Sequence, residues 1–290
     1  MIVTRFAPSP TGYLHLGHAF AAITACDAAK RAGGRFLVRI EDIDRGRCQP
    51  EFESAILEDL AWLGLEWEAP IQRQSERFSA YRTALDRLDA RGLLYPCFCT
   101  RAEIAAEIAR AARAPHGPRG PTYPGTCRGL AARERCKRIE AGAAFALRLD
   151  LMQAMATVGA LSFDERGRGA NGEHGGVDVD PTPLGDIVIA RKDIVVSYHL
   201  AVVVDDASQG VTLVTRGNDL FGATHVQRLL QALLGLPAPT YAHHRLILDE
   251  HGRKFSKRDH AVTIRAMRAG GITPDDVRAS LGLAIKGRTP

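Results

Sequence analysis

Residues 5–18 read Arg5-Phe-Ala-Pro-Ser-Pro-Thr-Gly-Tyr-Leu-His-Leu-Gly-His18, and this stretch decides the fold class. Residues 2–6 in front of it are a short β-type run, and residues 7–12, with two prolines and a glycine, form a tight loop. Behind it, residues 19–30 are an alanine-rich helical segment. Strand, loop and helix in that order put His15 and His18 at a helix start, where unpaired N–H groups and the helix dipole favour an anion. Two imidazoles three residues apart can both face a phosphate there, and Gly17 lets an adenine ring or a phosphate come close to the backbone. Taken as a tetrapeptide alone, the motif reads equally well as two ordinary histidines.

Outward from this start the same alternation continues. Gly33 and Gly34 end the helix, residues 35–41 are an apolar strand, and residues 51–63 and 75–89 read as helices, the second with Ser75 as N-cap and Gly92 past its end. Strands alternating with helices predict an α/β fold with a parallel sheet and crossover helices. From Leu94 the texture changes: Cys97-Phe-Cys99, a helix near residues 102–113, a Pro/Gly loop over 114–125, and Cys127. A helix (131–141) and a strand (143–149) follow, then a glycine-rich loop (167–176). Strand-like runs at 186–190, 200–204 and 211–215 return the chain to an α/β core. A helix over 224–234 ends at Gly235, and Leu246-Ile-Leu248 leads into a loop carrying Lys254-Phe-Ser-Lys-Arg258. Gly167-Arg-Gly-Ala-Asn-Gly172 satisfies G-x-G-x-x-G formally but neither follows a clear strand nor opens a helix, so it is not a dinucleotide fingerprint. No P-loop pattern is present either.

Composition sets outer bounds. With 46% apolar and 24% charged residues, the 290-residue chain is an ordinary globular protein. A net charge of +5 favours polyanionic partners without proving one. The N-terminus lacks a secretory pattern and no apolar run is long enough to span a bilayer, so a cytoplasmic protein with no membrane partner is expected. Its six cysteines should then be reduced, and closely spaced ones suggest metal before disulfide.

Mobile lysines on a loop suit a step in which negative charge builds on a transferring phosphoryl group. A cationic loop by itself is more often a solvated charge run. The combination is more specific: Arg5 to His18, Arg39-Ile-Glu-Asp-Ile-Asp44 and Lys254-Phe-Ser-Lys-Arg258, in this order and separation, resemble the catalytic domain of glutamyl-tRNA synthetase. The resemblance covers nearly the whole chain. Two departures are mild: Phe255 and Arg258 replace the methionine and second serine of the class I lysine-loop signature.

The resemblance implies a Rossmann-type class I aminoacyl-tRNA synthetase catalytic domain with an inserted zinc-containing subdomain like an acceptor-binding one. Residues 1–94 would be the first Rossmann half, 95–130 the zinc-binding insertion, 131–260 the rest of the insertion and the second half with the lysine loop, and 261–290 a short helical segment. It also implies residue roles. ATP would sit against His15, Gly17, His18 and Lys257, with Mg²⁺ accompanying it. Glutamate presents two carboxylates and one ammonium, which call for guanidinium forks and an acid. Arg5 and Arg216 would grip its side-chain carboxylate, Glu41 with Ser9 would hold the α-ammonium, Tyr198 would line the pocket, and Phe6, Ala7 and Pro8 belong to the same segment. The catalytic group comprises His15, His18, Lys254 and Lys257. Similar insertions in glutamyl-type synthetases bind zinc with the layout Cys97, Cys99, Cys127. A closed zinc site needs a fourth donor. Some members have a histidine where this chain has Gly129, so Tyr123 is the choice here and His116 its competitor. Cys26, Cys48 and Cys136 have no partner spacing and are expected to be inert.

The implied chemistry is activation of L-glutamate by ATP to glutamyl-adenylate without tRNA. Only 32 residues follow Arg258, too few for the helical anticodon-binding region of a full glutamyl-tRNA synthetase. That points to the truncated glutamyl-Q tRNA(Asp) synthetases, which transfer glutamate to the queuosine base at the anticodon of tRNA(Asp). The alternatives are a catalytic fragment charging a tRNA 3′ end and a silent zinc-containing RNA-binding module.

Overall fold

A computed structural model describes residues 1–104, 116–117, 120–191, 196–248 and 262–284. The opening reading of strand, loop and helix is realised as the strand Val3–Phe6 and the helix Leu16–Arg31. Val3–Phe6 pairs in parallel with Arg35–Ile40, in the register Val3 opposite Arg35, and Arg35–Ile40 pairs in parallel with Glu68–Arg73. On its other side Val3 touches the strand Leu213–Gly217 at its entrance: the Val3 N–H donates to Thr212 Oγ1 at 2.9 Å, and the Thr212 N–H donates to the Val3 carbonyl at 3.0 Å. Leu213–Gly217 pairs in parallel with Thr240–His244, which meets Ser162–Glu165 in parallel where Tyr241 lies opposite Glu165. Gly175–Asp178 closes that edge in antiparallel fashion. A separate antiparallel sheet joins Leu94–Cys97, Ala146–Leu149 and Val188–Arg191.

The helix Leu16–Arg31 buries Ala19, Ala22, Ile23, Ala25, Cys26 and Ala29. Its alanines keep that face short enough to lie close on the sheet, where it packs with Phe36, Val38 and Ile40. The same core is closed by Ile264, Val277 and Leu281 from the two C-terminal helices, Ile264–Ala269 and Pro274–Ser280. A second core gathers the helices Phe78–Asp89, Tyr198–Ser208 and Phe221–Leu234 around Leu149, Leu151 and Ile189.

Three local expectations change. Residues 200–204, expected as a strand, belong to the helix Tyr198–Ser208. The run Leu-Ala-Val-Val-Val lacks a period because Leu200 to Val203 are all buried, and a short apolar run carries no signal that separates strand from buried helix. Ser75 does not cap the helix Phe78–Asp89: it sits in a 3₁₀ turn, Gln74–Glu76, where Asp42 takes both its N–H and its hydroxyl. Gly175 and Gly176 leave the glycine loop to enter a strand. Among the described residues no helix is long and apolar enough to cross a membrane.

Candidate functional site

A cleft of about 450 Å³ opens beside the ends of the first two strands. Ser9 comes from the loop after Val3–Phe6, Glu41 from the residue directly after Arg35–Ile40, and Tyr198 from the first turn of Tyr198–Ser208, and all three line the cleft. Parallel strands release their chains at one edge, which is why residues so far apart in sequence converge here.

Glu41 is 8% exposed. Its N–H donates to the Pro8 carbonyl at 2.9 Å, which ties the two loops together, and its carboxylate accepts from Arg39 Nη2 at 3.3 Å. Burial pushes the Glu41 carboxyl up, with the Arg39 and Arg5 guanidiniums opposing it. Beneath lies a cluster the sequence did not advertise. Asp206 accepts from Arg5 through Nε at 3.0 Å and Nη2 at 3.3 Å, and from Arg39 Nη1 at 2.7 Å. Burial alone would raise the Asp206 carboxyl, but the two guanidiniums outweigh it and hold it below the ordinary range. The neighbouring Asp205 turns the other way and accepts from Tyr81, Gln74 and Arg77 at 2.7 to 2.9 Å. Adjacent residues on a helix point about 100° apart, so the helical state of this segment lets one acid hold the sheet and the next hold the helix Phe78–Asp89.

Of the residues named for glutamate, Ser9, Glu41 and Tyr198 share the cleft, whereas Arg5 and Arg216 do not line it. Arg5 is engaged by Asp206, and its Nη1 is 3.5 Å from the Thr215 carbonyl. Arg216 is bonded to His243, Gln227 and Thr224. Phe6 is turned into the core and Pro8 is buried, while Ala7 is half-buried.

His15 is the N-cap of its helix. Its Nδ1 accepts the Gly17 N–H at 3.1 Å, and His18 Nδ1 lies 3.3 Å from the His15 N–H. A nitrogen that accepts carries no proton, so each ring keeps its proton on Nε2, a donor suited to a phosphate oxygen. The rings stack with centroids 3.8 Å apart. Gly17 eases this arrangement, since a Cβ there would stand 3.0 Å from the His15 ring and press it aside. Lys254 and Lys257 lie outside the described residues. The chain that follows them re-enters beside the histidines: the Ile264 N–H donates to the Leu14 carbonyl at 2.8 Å, and Thr263 bridges to His15.

Cys97, Cys99 and Cys127 bring their sulfurs within 4.8 Å of one another, a group that could hold a metal ion. The Sγ atoms of Cys99 and Cys127 are 3.4 Å apart, near the separation of about 3.8 Å that two thiolates at ~2.3 Å take around one tetrahedral zinc. The Tyr123 hydroxyl accepts the Cys127 N–H at 2.8 Å and lies 3.9 Å from Cys99 Sγ. A phenolic oxygen thus neighbours the three sulfurs; the His116 side chain lies outside the described ones. Burial, with the hydrogen bond to Cys127, pushes the Cys99 thiol up to about 12, the state expected of crowded sulfurs that a divalent cation would deprotonate. Cys97 and Cys99 also line the cleft, together with Arg47, Arg148 and Arg191. The cysteine cluster therefore forms one wall of the cleft that holds Glu41, an adjacency that spacing in the sequence could not reveal.

Comparison with known proteins agrees with this geometry. The family model for class I tRNA synthetases (E and Q), catalytic domain, matches residues 1–284. A protein of Rhodobacter capsulatus named Glutamyl-Q tRNA(Asp) synthetase is 50% identical over 97% of this chain and 100% of its own length. The chain belongs to the glutamyl-Q tRNA(Asp) synthetase branch of the class I tRNA synthetases. Like other members of the family it is an enzyme, a ligase. A Glutamate--tRNA ligase of Aquifex aeolicus is 41% identical, but the chain spans only 55% of it. A crystal structure of glutamate-tRNA synthetase from Elizabethkingia anophelis superposes with a TM-score of 0.73 at 30% identity, covering 89% of this chain and 53% of that one.

Proposed function

We propose that the enzyme activates L-glutamate with ATP in the absence of tRNA, forming glutamyl-adenylate, and then transfers the glutamyl group to the queuosine base in the anticodon of tRNA(Asp). The observation that carries this reading is the convergence of Ser9, the buried Glu41 carboxylate and Tyr198 on one cleft. A buried carboxylate with an open side suits an α-ammonium. The acceptor is inferred from the 50% identity that spans the whole Rhodobacter relative.

In the first step the glutamate α-carboxylate attacks the ATP α-phosphorus and pyrophosphate leaves. His15 and His18 donate from Nε2 to ATP, whose base or phosphates come close at Gly17, and Lys257, assisted by Lys254, stabilises the departing pyrophosphate. Mg²⁺ bound with ATP supplies neutralisation of the phosphate charge. Arg5 and Arg216, which lie behind the cleft residues and are held by Asp206 and His243, are assigned to the side-chain carboxylate by the resemblance. Cys97, Cys99, Cys127 and Tyr123 hold a structural zinc ion within a 95–130 insertion. The enzyme works in the cytoplasm.

The tRNA-free step has a direct assay. With purified enzyme, glutamate and Mg²⁺ but no RNA, labelled pyrophosphate is expected to exchange into ATP, and Lys257→Ala is expected to slow exchange by roughly 10²-fold, the usual scale for one transition-state charge contact. Exchange that appears only once tRNA is added would overturn the tRNA-independent first step.

A further inference from the structure

A buried polar chain runs from Glu165 through His243 to Arg216. Glu165 is fully buried, His243 is 2% exposed and Arg216 6%. The chain exists because Thr240–His244 and Ser162–Glu165 pair with Tyr241 opposite Glu165, which brings together residues 78 apart in sequence. Glu165 Oε1 accepts two backbone N–H groups, from His243 at 2.8 Å and Gly167 at 2.7 Å. Its Oε2 lies 2.5 Å from His243 Nδ1. Gly167 can reach it only without a side chain, as a Cβ there would stand 2.1 Å from the His243 carbonyl oxygen. On the far side of the ring, Arg216 Nε–H donates to His243 Nε2 at 3.1 Å.

This geometry fixes the tautomer. A guanidinium only donates, so His243 Nε2 must accept and the ring proton must sit on Nδ1, where Glu165 takes it. Two further contacts complete the cradle: Arg216 Nη1 donates to Gln227 Oε1 and Nη2 to Thr224 Oγ1, both at 2.7 Å. Tyr241 stacks on His243 and lies 5.4 Å below the guanidinium. Burial lowers the His243 pKa, consistent with a neutral ring. Three of the five Arg216 N–H donors are thus committed to His243, Gln227 and Thr224, which leaves two.

We propose that Glu165 and His243 are positioning residues that, by fixing one imidazole tautomer, hold the Arg216 guanidinium in the orientation that distinguishes the side-chain carboxylate of glutamate from a carboxamide. This rests on the reading of Arg216 as a glutamate ligand. Glu165→Gln is the sharpest probe. The two backbone donors keep the amide oxygen in the Oε1 place, which turns the NH₂ toward Nδ1 and drives the ring proton to Nε2, against Arg216 Nε–H.

The test is pyrophosphate exchange with glutamate, glutamine and ATP varied separately, for Glu165→Gln, His243→Leu, His243→Gln and Arg216→Lys. Glu165→Gln and His243→Leu are expected to raise KM for glutamate about tenfold and to shrink the preference over glutamine similarly, each equivalent to about 1.4 kcal/mol. KM for ATP should stay within about twofold, because ATP makes no use of Arg216. His243→Gln, whose amide can accept from Arg216 and donate to Glu165, should recover near-normal glutamate KM. A purely structural role would lower the amount of active enzyme and leave these ratios untouched. If Arg216→Lys raises glutamate KM while Glu165→Gln and His243→Leu do not, the positioning role is overturned. If Arg216→Lys has no effect either, the assignment of Arg216 itself has failed.

Discussion

Replacing Glu41 by glutamine should lower kcat/KM for glutamate in pyrophosphate exchange by on the order of 10²- to 10³-fold, with KM for ATP little changed. Removing one partner of a buried, hydrogen-bonded charge pair costs about 2–5 kcal/mol, and about 1.4 kcal/mol is a factor of ten. Glu41 meets the conditions for the large end: it is buried, held by Arg39, tied through its backbone to the Ser9 loop, and open to the cleft. The sign of the pH effect follows from the same burial. Its carboxyl is raised above the ordinary range, so as pH falls the site protonates earlier than a free glutamate side chain would, and ammonium binding is lost. The acid limb of the kcat/KM profile should therefore sit above the ordinary carboxylate range and be absent from Glu41→Gln. A profile identical in both enzymes would remove Glu41 from the site.

The second large effect concerns stability. Asp206→Ala should destabilise the fold by about 3–5 kcal/mol, the cost of leaving a buried charge without its partner, since Arg5 loses its carboxylate and Arg39 keeps only the longer contacts to Glu41 and Asp205. Urea unfolding followed by circular dichroism would measure it. The folded-state pKa of Asp206 is depressed, so its contribution is fully present above the unfolded carboxylate value near ~3.9 and is lost as pH falls through the lower folded value. The difference between the wild type and Asp206→Ala should stay constant from neutrality down to about that pH and shrink only in stronger acid. A variant as stable as the wild type at neutral pH would mean that Arg5 and Arg39 find other partners.

The parts of the molecule legible in the sequence were those whose signal is local. His15, Gly17 and His18 declared a helix start, and Cys97 and Cys99 declared a pair because their spacing is itself the chemistry. The strand Glu68–Arg73 escaped notice because it carries Pro70 and charged residues and is exposed over its first half, as an edge strand can be. Thr240–His244 escaped because two histidines in five residues read as surface. One of them, His243, is buried through partners far away in the chain. Asp205 and Asp206 follow the run 200–204 expected as a strand, and only the helix reveals that each anchors a different layer. In each case the missing information was a long-range partner, which a periodicity argument does not contain.

Under the proposed function glutamate, once activated, is attached to a base in an anticodon. Incubating the enzyme with labelled glutamate, ATP and a mixed tRNA pool, digesting the RNA to nucleosides and locating the label tests it most directly. Label is expected on tRNA(Asp) containing queuosine, carried by the modified anticodon nucleoside, and none on the same tRNA lacking queuosine. Label on the 3′-terminal adenosine would contradict it and make the chain a glutamyl-tRNA synthetase catalytic unit of the ordinary kind.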